Sequence, residues 1–322
     1  MRIRIAAALS AVAATALLLS GCAGAGSPSA SPTPSASSSC LLNAKPGKAS
    51  DAVKVDGEGK DLKVTVPADA DVDSATGVER TILKKGDGKD VKAGDLVSVQ
   101  YRIVNPTDGA VLDSSTRAPE DRIPVLLDPQ QQSLFVVSLE CQPVGTSVVV
   151  AVPGKMFGDG GKPVVVYAQS VAKLPTTATG ADVSPVAGMP TVKLAKDGAP
   201  TVTIPKSDPP TQTTIANLKQ GDGATVASGD QVIVQYRGVT WADGKEFDSS
   251  WKRGTPAQFQ TTAVVTGFKK ALEGQKVGSQ VLVVIPPTEG YGAQAQGSIP
   301  ANSTLVFVID ILGTVPSAAP AQ

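Results

Sequence analysis

The sequence of 322 residues contains no histidine, and it has no run of lysine or arginine. Without an imidazole, nucleophilic sites of the Ser-His-Asp and Cys-His kinds are excluded, and most zinc sites lose a usual ligand. Positive and negative side chains balance at 29 each, so the sequence has no excess of positive charge that would indicate a nucleic acid partner. The composition therefore permits a reaction that requires no proton transfer and no metal.

Cysteine is also scarce, with three residues, and the first of them lies in a targeting segment. Arg2 and Arg4 begin an apolar stretch over residues 5–19, and a Leu-Ser-Gly-Cys motif typical of a bacterial lipobox ends at Cys22. An uncleaved membrane helix is the alternative, but the stretch is shorter than the roughly 20 residues that span a bilayer. We therefore expect residues 1–21 to be a lipoprotein signal peptide. Lipidation of Cys22 would anchor the protein to the cell membrane on its extracytoplasmic face.

The next segment is small, polar and rich in proline. Residues 23–39 contain Ser, Pro, Ala, Gly and Thr without charge or aromatic rings, which predicts a solvated tether over 22–42. With Cys22 assigned to lipid, Cys40 and Cys141 are the cysteines that remain, and the expected compartment is oxidising. A Cys40–Cys141 disulfide is the economical interpretation, and two unpaired thiols are the alternative.

The rest of the sequence contains the same pattern twice. The segments 86–102 and 221–237, GDGKDVKAGDLVSVQYR and GDGATVASGDQVIVQYR, align without a gap. Each copy is preceded by two short alternating strands about a glycine turn, at 53–67 and 192–205, which predicts an N-terminal hairpin extension. The sequence thus predicts two tandem domains and a linker: an N-terminal repeat (43–175), a linker rich in Thr, Gly and Ala (176–190), and a C-terminal repeat (191–316).

The C-terminal repeat has the local patterns of a small α+β domain. A period-two strand places Val232, Val234 and Tyr236 on one face. A short helix is predicted after it, with Thr266 as the N-cap and Gly274 at the C′ position. Two apolar strands that flank a glycine-rich loop complete the repeat. This order predicts an antiparallel sheet wrapped on one short helix.

Several motifs of this repeat occur in one order: Tyr236, DGKEFDSS, GFKKALEGQKVGSQ, IPPTEGYG and IPANSTLVF. Together they resemble the FKBP-type peptidyl-prolyl cis/trans isomerases over about eighty residues. The resemblance implies two tandem FKBP-like domains, isomerase activity, and proline-containing exported or unfolded polypeptides as partners. It implies no cofactor and no metal.

The resemblance also implies site residues, carried over position by position. The expected catalytic residues are Tyr236, Phe247, Asp248, Phe268, Tyr291, Ile299 and Phe307. The expected substrate-binding residues are Arg253, Phe259, Val264 and Val265.

Each of the main site residues has an implied role. Phe268 would be the floor beneath the substrate proline, and its walls would be Tyr236, Phe247 and Phe307. Tyr291 would donate its hydroxyl to the substrate carbonyl, Ile299 would contribute a backbone N–H, and Asp248 would orient the rim. The alternative interpretation of Phe259, Phe268 and Phe307 is that they belong to the hydrophobic core and not to a pocket. The alternatives for Asp248 and Arg253 are a side chain that satisfies a turn and a solvated charge.

The N-terminal repeat has lost more of these motifs. Leu112 stands where Phe247 does, Phe157 stands where Tyr291 does, and the loop that carries Ile299 is reduced to about residues 161–163. The retained residues are Tyr101, Asp113 and Phe135. We expect this repeat to be weakly active or inactive, and to serve as a binding or spacing module.

The sequence therefore predicts a membrane-anchored, extracytoplasmic peptidyl-prolyl isomerase that helps exported proteins to fold, with its activity in the C-terminal repeat. The alternative is a binding or chaperone module that holds proline-containing segments without turnover.

Overall fold

The computed structural model describes residues 44–128 and 133–317, which belong to one compact unit, Ser39–Gln322. The predicted signal peptide, the tether, Cys22 and Cys40 lie outside the described residues. None of the helices formed by the described residues combines the length and hydrophobicity of a membrane span.

The N-terminal repeat forms an antiparallel sheet with strand order β3-β7-β8-β4-β5, and β6 also pairs with β4. A separate hairpin, β1–β2, precedes this sheet. The elements are α1 (Lys48–Ala52), β1 (Lys54–Asp56), β2 (Lys63–Thr65), β3 (Glu79–Lys84), β4 (Leu96–Val104), β5 (Val111–Ser114), β6 (Ile123–Leu126), α2 (Leu134–Leu139), β7 (Ser147–Val152) and β8 (Val164–Lys173).

The C-terminal repeat has the same topology, with order β14-β13-β17-β16-β12 and β15 paired with β13. Its hairpin is β10–β11, and β9 extends the far edge beyond β12. The elements are β9 (Ala181–Asp182), β10 (Thr191–Leu194), β11 (Pro200–Thr203), β12 (Thr214–Gln220), β13 (Gln231–Thr240), β14 (Glu246–Ser249), α3 (Ser250–Arg253), β15 (Ala257–Gln260), α4 (Thr266–Leu272), β16 (Gln280–Ile285) and β17 (Leu305–Val315).

Short 3-10 helices occur in the connections of both repeats. Among the described residues they are Gly59–Asp61, Ala68–Ala70, Val72–Ser74, Ser115–Arg117, Pro119–Asp121, Gly154–Phe157, Thr261–Ala263 and Pro287–Glu289.

The C-terminal sheet is covered on both faces, which explains why its central strands are apolar throughout. Val283 and Ile285 of β16 pack with Leu272 of α4 in one core cluster. Their neighbour Val284 belongs to a second cluster, against which Val192 of the hairpin packs. Because alternate strand residues point to opposite faces, helix and hairpin each bury one set. Full burial of such a side chain contributes about 1.5–3 kcal/mol.

The end of α4 matches the sequence prediction, whereas its start does not. Gly274 follows the C-cap residue Glu273 with φ +83°, the left-handed conformation that glycine adopts without strain. Thr266 was predicted as the N-cap, but it is the first helical residue, and Val265 is the N-cap with no side-chain capping bond. The N-terminal end of this short helix is therefore held by packing and not by a hydroxyl cap.

The predicted linker is partly built into the C-terminal sheet. Within residues 176–190, β9 pairs with β12 through Asp182 and Lys219, and their side chains form an ion pair of 2.7 Å. The backbone N–H of Ala178 donates to the carboxylate of Asp310 at 2.8 Å, and Asp310 is buried. The interpretation of this segment as a plain linker was wrong for these residues, because composition does not reveal an edge pairing with a distant strand.

The two repeats contact each other through apolar residues of their sheets. Leu96 and Leu126 from the N-terminal repeat cluster with Ile233 and Leu312 from the C-terminal repeat. Val315, at the end of β17, belongs to the hydrophobic core of the N-terminal repeat. The last strand of the C-terminal repeat therefore contributes to both halves of the compact unit.

Candidate active site

A cavity of about 470 Å³ opens in the C-terminal repeat between α4, the β13–β14–β15–β17 part of the sheet and the loop after β16. Ten of the eleven predicted site residues line it, and Arg253 lies at its edge. The lining residues are Tyr236, Phe247, Asp248, Phe259, Ala263, Val264, Val265, Phe268, Tyr291, Gln296, Gly297, Ser298, Ile299 and Phe307.

The cavity floor and walls are formed by a cluster of aromatic rings packed edge to face. The Phe268 and Phe307 ring centroids lie 5.0 Å apart, and those of Phe247 and Phe307 lie 5.3 Å apart. Phe268 and Phe307 also belong to the core cluster, so the alternative reading of Phe268 as core is compatible with its place in the cavity. Such pairs contribute about 0.5–1.5 kcal/mol beyond simple burial. The rings therefore form a rigid apolar surface.

Gly238 of β13 permits this packing, and the sequence analysis did not identify it. A Cβ atom at this position would lie 2.5 Å from the ring of Phe247 and 2.8 Å from that of Phe307. Both contacts are closer than carbon atoms approach, so an alanine would push the wall rings aside. A glycine inside a strand rich in valine was the available signal, since it indicates a close approach.

Tyr236, Asp248 and Arg253 form a polar cluster at the rim. The Tyr236 hydroxyl donates to Asp248, Arg253 pairs with the same carboxylate, and Arg253 also donates to the Tyr236 oxygen at 2.9 Å. The guanidinium carbon lies 5.3 Å from the centre of the Tyr236 ring. Burial, together with the hydrogen bond to Asp248, raises the pKa of Tyr236 to about 12. The phenol therefore keeps its proton near neutral pH and remains a hydrogen-bond donor.

The loop after β16 carries Tyr291, which is 39% exposed at the cavity mouth. Glu289 fixes the start of this loop because it pairs with Lys270 of α4 at 2.8 Å and accepts from the hydroxyl of Thr213 at 2.8 Å. These hydrogen bonds from Lys270 and Thr213 lower the pKa of Glu289. Tyr291 thus lies on an anchored loop at the cavity mouth, where a ligand can reach it.

Ile299 lies in the cavity as expected, but its backbone N–H is already used. It donates to the carbonyl of Gln296 at 2.9 Å, and the N–H of Gln296 donates back to Ile299 at 2.9 Å. The expectation of a free N–H aimed at the substrate is therefore wrong for this structure, because a tight turn consumes it. Gln296 and Ser298 are lining residues that the sequence analysis did not single out.

The N-terminal repeat retains the polar cluster, but the aromatic ring beside it packs closer. Tyr101 donates to Asp113 at 2.8 Å, and Arg117 contacts both residues, donating to the Tyr101 oxygen at 2.5 Å. Tyr101 and Phe135 are 4.8 Å apart between ring centroids, whereas the corresponding distance in the C-terminal repeat, between Tyr236 and Phe268, is 6.2 Å. The tyrosine and phenylalanine rings thus pack closer together in the N-terminal repeat.

The residues that replace the cavity rim in the N-terminal repeat point to solvent. Leu112 is 55% exposed and Phe157 is 50% exposed. Arg117 was not recognised from the sequence because it lies four residues after Asp113, whereas Arg253 lies five residues after Asp248. The one-residue difference hides the equivalence in an ungapped alignment.

Comparisons with known proteins find relatives of the C-terminal repeat. The sequence model described as FKBP-type peptidyl-prolyl cis-trans isomerase matches residues 223–312, within the C-terminal repeat. An FK506-binding protein of Streptomyces anulatus is 39% identical over 112 residues, which are 34% of this chain and 90% of that protein.

FkpA, an FKBP-type peptidyl-prolyl cis-trans isomerase of Escherichia coli K12, is 40% identical over 100 residues, or 31% of this chain and 37% of FkpA. The crystal structure of FkpA from Escherichia coli matches with 34% identity and a TM-score of 0.32, over 39% of this chain and 53% of that one. The chain thus spans about half of FkpA or less. It belongs to the FKBP family and is an FKBP-type peptidyl-prolyl cis-trans isomerase.

Proposed function

We propose that isomerisation takes place in the cavity of the C-terminal repeat, and that the substrates are proline-containing segments of exported or unfolded polypeptides. The observation that carries this proposal is the aromatic cavity itself, which brings Phe247, Phe268, Tyr291 and Phe307 around one space. In the N-terminal repeat the equivalent of Phe247 is the aliphatic Leu112, and the equivalent of Tyr291 is Phe157, which lacks a hydroxyl.

The cavity suits a reaction that proceeds without acid, base or nucleophile. Rotation about an X–Pro bond faces a barrier of about 18–20 kcal/mol, because the planar amide must lose its double-bond character. A twisted amide is less polar than a planar one, so an apolar site that excludes water favours the transition state over the ground state. Phe268 would contact the proline ring, and the exposed hydroxyl of Tyr291 would donate to the substrate carbonyl.

The assignment of the active site can be tested with paired double variants of the full chain. Phe247→Ala with Tyr291→Ala should lower kcat/KM on a proline peptide about tenfold or more, since both groups contact the reacting amide. The matched control is Leu112→Ala with Phe157→Ala, at the equivalent positions of the N-terminal repeat. These side chains are about half exposed, so the control should keep fold and activity. Wild-type activity in a folded Phe247/Tyr291 double variant would refute the assignment.

A lipid anchor on Cys22 would place this activity outside the cytoplasm. The proposal is supported by the Leu-Ser-Gly-Cys motif that follows the apolar stretch of residues 5–19. Cys22→Ser should prevent lipidation and either release the protein from membranes or leave it unprocessed, as fractionation and mass measurement would show. Membrane retention of the variant at the mature wild-type mass would contradict the anchor.

An oxidising location also predicts the cysteine pairing. Cys141 is disulfide-bonded, and Cys40 lies outside the described residues, so their pairing stays a prediction. Mass analysis of a non-reduced digest of the mature protein should recover the two cysteines in one linked peptide pair. Alkylation of Cys40 in the native exported protein would contradict it.

A second function, binding without turnover, is favoured by one observation on the N-terminal repeat. Val111, Leu112, Met156 and Phe157 are each at least half exposed, on β5 and on the 3-10 helix Gly154–Phe157. A contiguous patch of exposed apolar side chains is a feature of interaction surfaces, and we propose that these four form one. Their joint replacement by serine should weaken suppression of client aggregation, measured by light scattering, while kcat/KM on short peptides stays unchanged. Equal suppression by the variant and the wild type would remove this second function.

A further inference from the structure

Arg102 of β4 and Arg237 of β13 are equivalent residues, since the segments that contain them align without a gap. Two residues further along each strand, the residue opposite in the sheet is Val111 of β5 in one repeat and Glu246 of β14 in the other. A register shift precedes this pairing at the same place in both sheets, so Val111 stands where Glu246 stands. The C-terminal repeat thus has a carboxylate at a position where the N-terminal repeat has an apolar side chain.

The C-terminal repeat shows how this arginine is balanced. The Nε atom of Arg237 lies 2.8 Å from a carboxylate oxygen of Glu246, an ion pair in which the N–H is not aligned for a hydrogen bond. On its other side, Arg237 donates to the carbonyl of Pro200 in the β10–β11 hairpin at 2.5 Å. Lys252 also pairs with Glu246, at 3.0 Å. The guanidinium therefore lies between a hairpin carbonyl and the carboxylate of an edge strand.

Arg102 keeps the hairpin carbonyl but has no carboxylate. Its Nη2 atom donates to the carbonyl of Lys60, between β1 and β2, at 3.5 Å, and its Nε atom is buried without a hydrogen-bond partner. Within residues 44–128 and 133–317, no aspartate or glutamate forms an ion pair with Arg102. A half-buried cation is unfavourable unless a negative group balances it. The N-terminal repeat therefore contains an arginine that can accept a carboxylate from another molecule.

The side of Arg102 that corresponds to Glu246 is open to solvent. Val111 is 53% exposed, and the next residue, Leu112, is 55% exposed. β5 ends the strand order of its sheet, and in the part of the chain that the structure describes it pairs with β4 alone. An extended polypeptide can thus lie along β5 without displacing a strand. Its apolar side chains would cover Val111 and Leu112, and an acidic side chain would reach Arg102.

We propose that Arg102 is a carboxylate-binding site, which recognises an aspartate or glutamate side chain flanked by apolar residues in an unfolded polypeptide. The inference rests on the proposed binding function of the N-terminal repeat, and it adds the chemistry of the partner. A carboxylate is the anion that the equivalent arginine already holds in the C-terminal repeat. Arginine binds carboxylates through charge-assisted hydrogen bonds, which gives the contact its specificity. Because the aromatic cavity lies in the other repeat, this recognition requires no proline.

Proline-free peptides separate this site from the isomerase cavity. Two dye-labelled peptides with the same flanking sequence, one with a central Leu-Glu-Leu and one with Leu-Gln-Leu, are titrated with the full chain and followed by fluorescence anisotropy. The glutamate peptide should bind about tenfold more tightly, since a hydrogen bond between charged groups is stronger than one to a neutral amide. Added salt should reduce this preference, because it screens the charges.

Variants of β5 test whether Arg102 causes the preference. Val111→Glu introduces the pairing that Arg237 makes with Glu246, so its carboxylate should occupy Arg102 and remove the preference, as should Arg102→Gln. Val111→Gln has the same size without the charge and should keep it. Leu112→Glu adds the same charge on the opposite face of the strand and should also keep it. Because Val111 is exposed, its variants should fold, and Val111→Glu should unfold at a higher urea concentration than Val111→Gln.

The outcomes distinguish the carboxylate site from the apolar surface of the same repeat. Equal affinity for the two peptides overturns the site, as does a preference that survives Arg102→Gln and Val111→Glu. Displacement of the glutamate peptide by inorganic phosphate at a lower concentration than by acetate would show a general anion site and would also overturn it. If the serine variant of the apolar surface suppresses aggregation as well as the wild type, that surface fails. An Arg102-dependent preference would in that case still identify the carboxylate site.

Discussion

Tyr236 and Tyr101 make the same polar contacts, although they lie in repeats with different surroundings. Each hydroxyl donates to an aspartate, and each receives a hydrogen bond from an arginine. The tyrosine lines an open cavity in the C-terminal repeat, whereas in the N-terminal repeat Phe135 packs against it at 4.8 Å. The shared contacts thus connect β4 with β5 in one repeat and β13 with β14 in the other. The aromatic neighbours of the tyrosine decide whether a cavity forms beside these contacts.

This separation of structural and functional roles predicts different effects for one substitution in the two repeats. Tyr236→Phe and Tyr101→Phe should each lower the free energy of unfolding by about 1 kcal/mol, because each removes a hydroxyl that bonds to a charged pair. Tyr236→Phe should also lower kcat/KM several-fold, whereas Tyr101→Phe should not.

Urea unfolding and a proline-peptide assay of both variants test this expectation. A loss of activity with Tyr101→Phe that exceeds its loss of stability would mean that the N-terminal repeat takes part in catalysis.

Activity should be independent of pH near neutrality. The chain contains no histidine, and the pKa of Tyr236 is raised to about 12, mainly by burial, so this phenol stays protonated throughout the range. Between pH 6 and 8 we expect kcat/KM to vary by less than about twofold. A profile with a clear midpoint inside this range would reveal a titrating group in the mechanism.

At the scale of elements, β17 connects the cavity, the linker and the second repeat. Phe307 near its start lines the cavity, and Asp310 in its middle accepts the backbone N–H of Ala178. Val315 at its end packs into the N-terminal core. Its register against β13, with Tyr236 opposite Ile309, places Phe307 beside Gly238, where the missing side chain leaves room for the ring. The position of the cavity wall therefore depends on a strand that is held at three points.

The buried carboxyl of Asp310 predicts a pH dependence of stability. Burial raises its pKa, and hydrogen bonds from Ala178 and Gln280 oppose this shift. As pH rises, the carboxyl of Asp310 therefore loses its proton first in the unfolded state, near pH 3.9. The free energy of unfolding then falls with increasing pH until the raised pKa of the native state is passed. Asp310→Asn cannot titrate.

The difference in unfolding free energy, wild type minus Asp310→Asn, should therefore decrease as pH rises from about 4 to 7. Urea unfolding of both proteins at several pH values measures this difference. A difference that stays constant, or that increases with pH, would show that the carboxyl is not held with a raised pKa.

At the scale of the whole molecule, the repeats meet at a tight contact that depends on a glycine. A Cβ atom at Gly313 of β17 would lie 2.7 Å from the side chain of Pro124 in β6. Ile233 and Leu312 lie in the apolar cluster shared with the N-terminal repeat. The contact is thus close enough that one methyl group would separate the repeats locally.

Gly313→Ala should lower the stability of the full chain by about 1–3 kcal/mol through overpacking. It should leave kcat/KM on a short proline peptide unchanged, because Gly313 does not line the active-site cavity. Gly77→Ala is the matched control, since no atom lies within 4 Å of its added Cβ. Equal stability of the two variants in urea unfolding would show that the repeats tolerate separation at this point.

The sequence determined the features that arise from local patterns. Period-two alternation predicted the strand that carries Tyr236, and Gly274 predicted the end of α4. Internal repetition predicted two similar sheets, and the order of motifs predicted the residues that surround the cavity. The strand and helix signals are each contained in a short stretch, because strand faces and helix ends depend on neighbouring residues. Repetition and motif order are read along the sequence without knowledge of its contacts.

The tertiary structure decided what depends on contacts between residues far apart in the chain. β9 joins a strand some forty residues later, and the carbonyl of Ser207 accepts a hydrogen bond from the indole of Trp241. None of these contacts changes the local pattern of the residues involved, so no motif announces them. Hydrogen-bond satisfaction and close packing are properties of the folded chain. They decide which of several possible donors, acceptors and apolar side chains come into contact, and local sequence patterns do not.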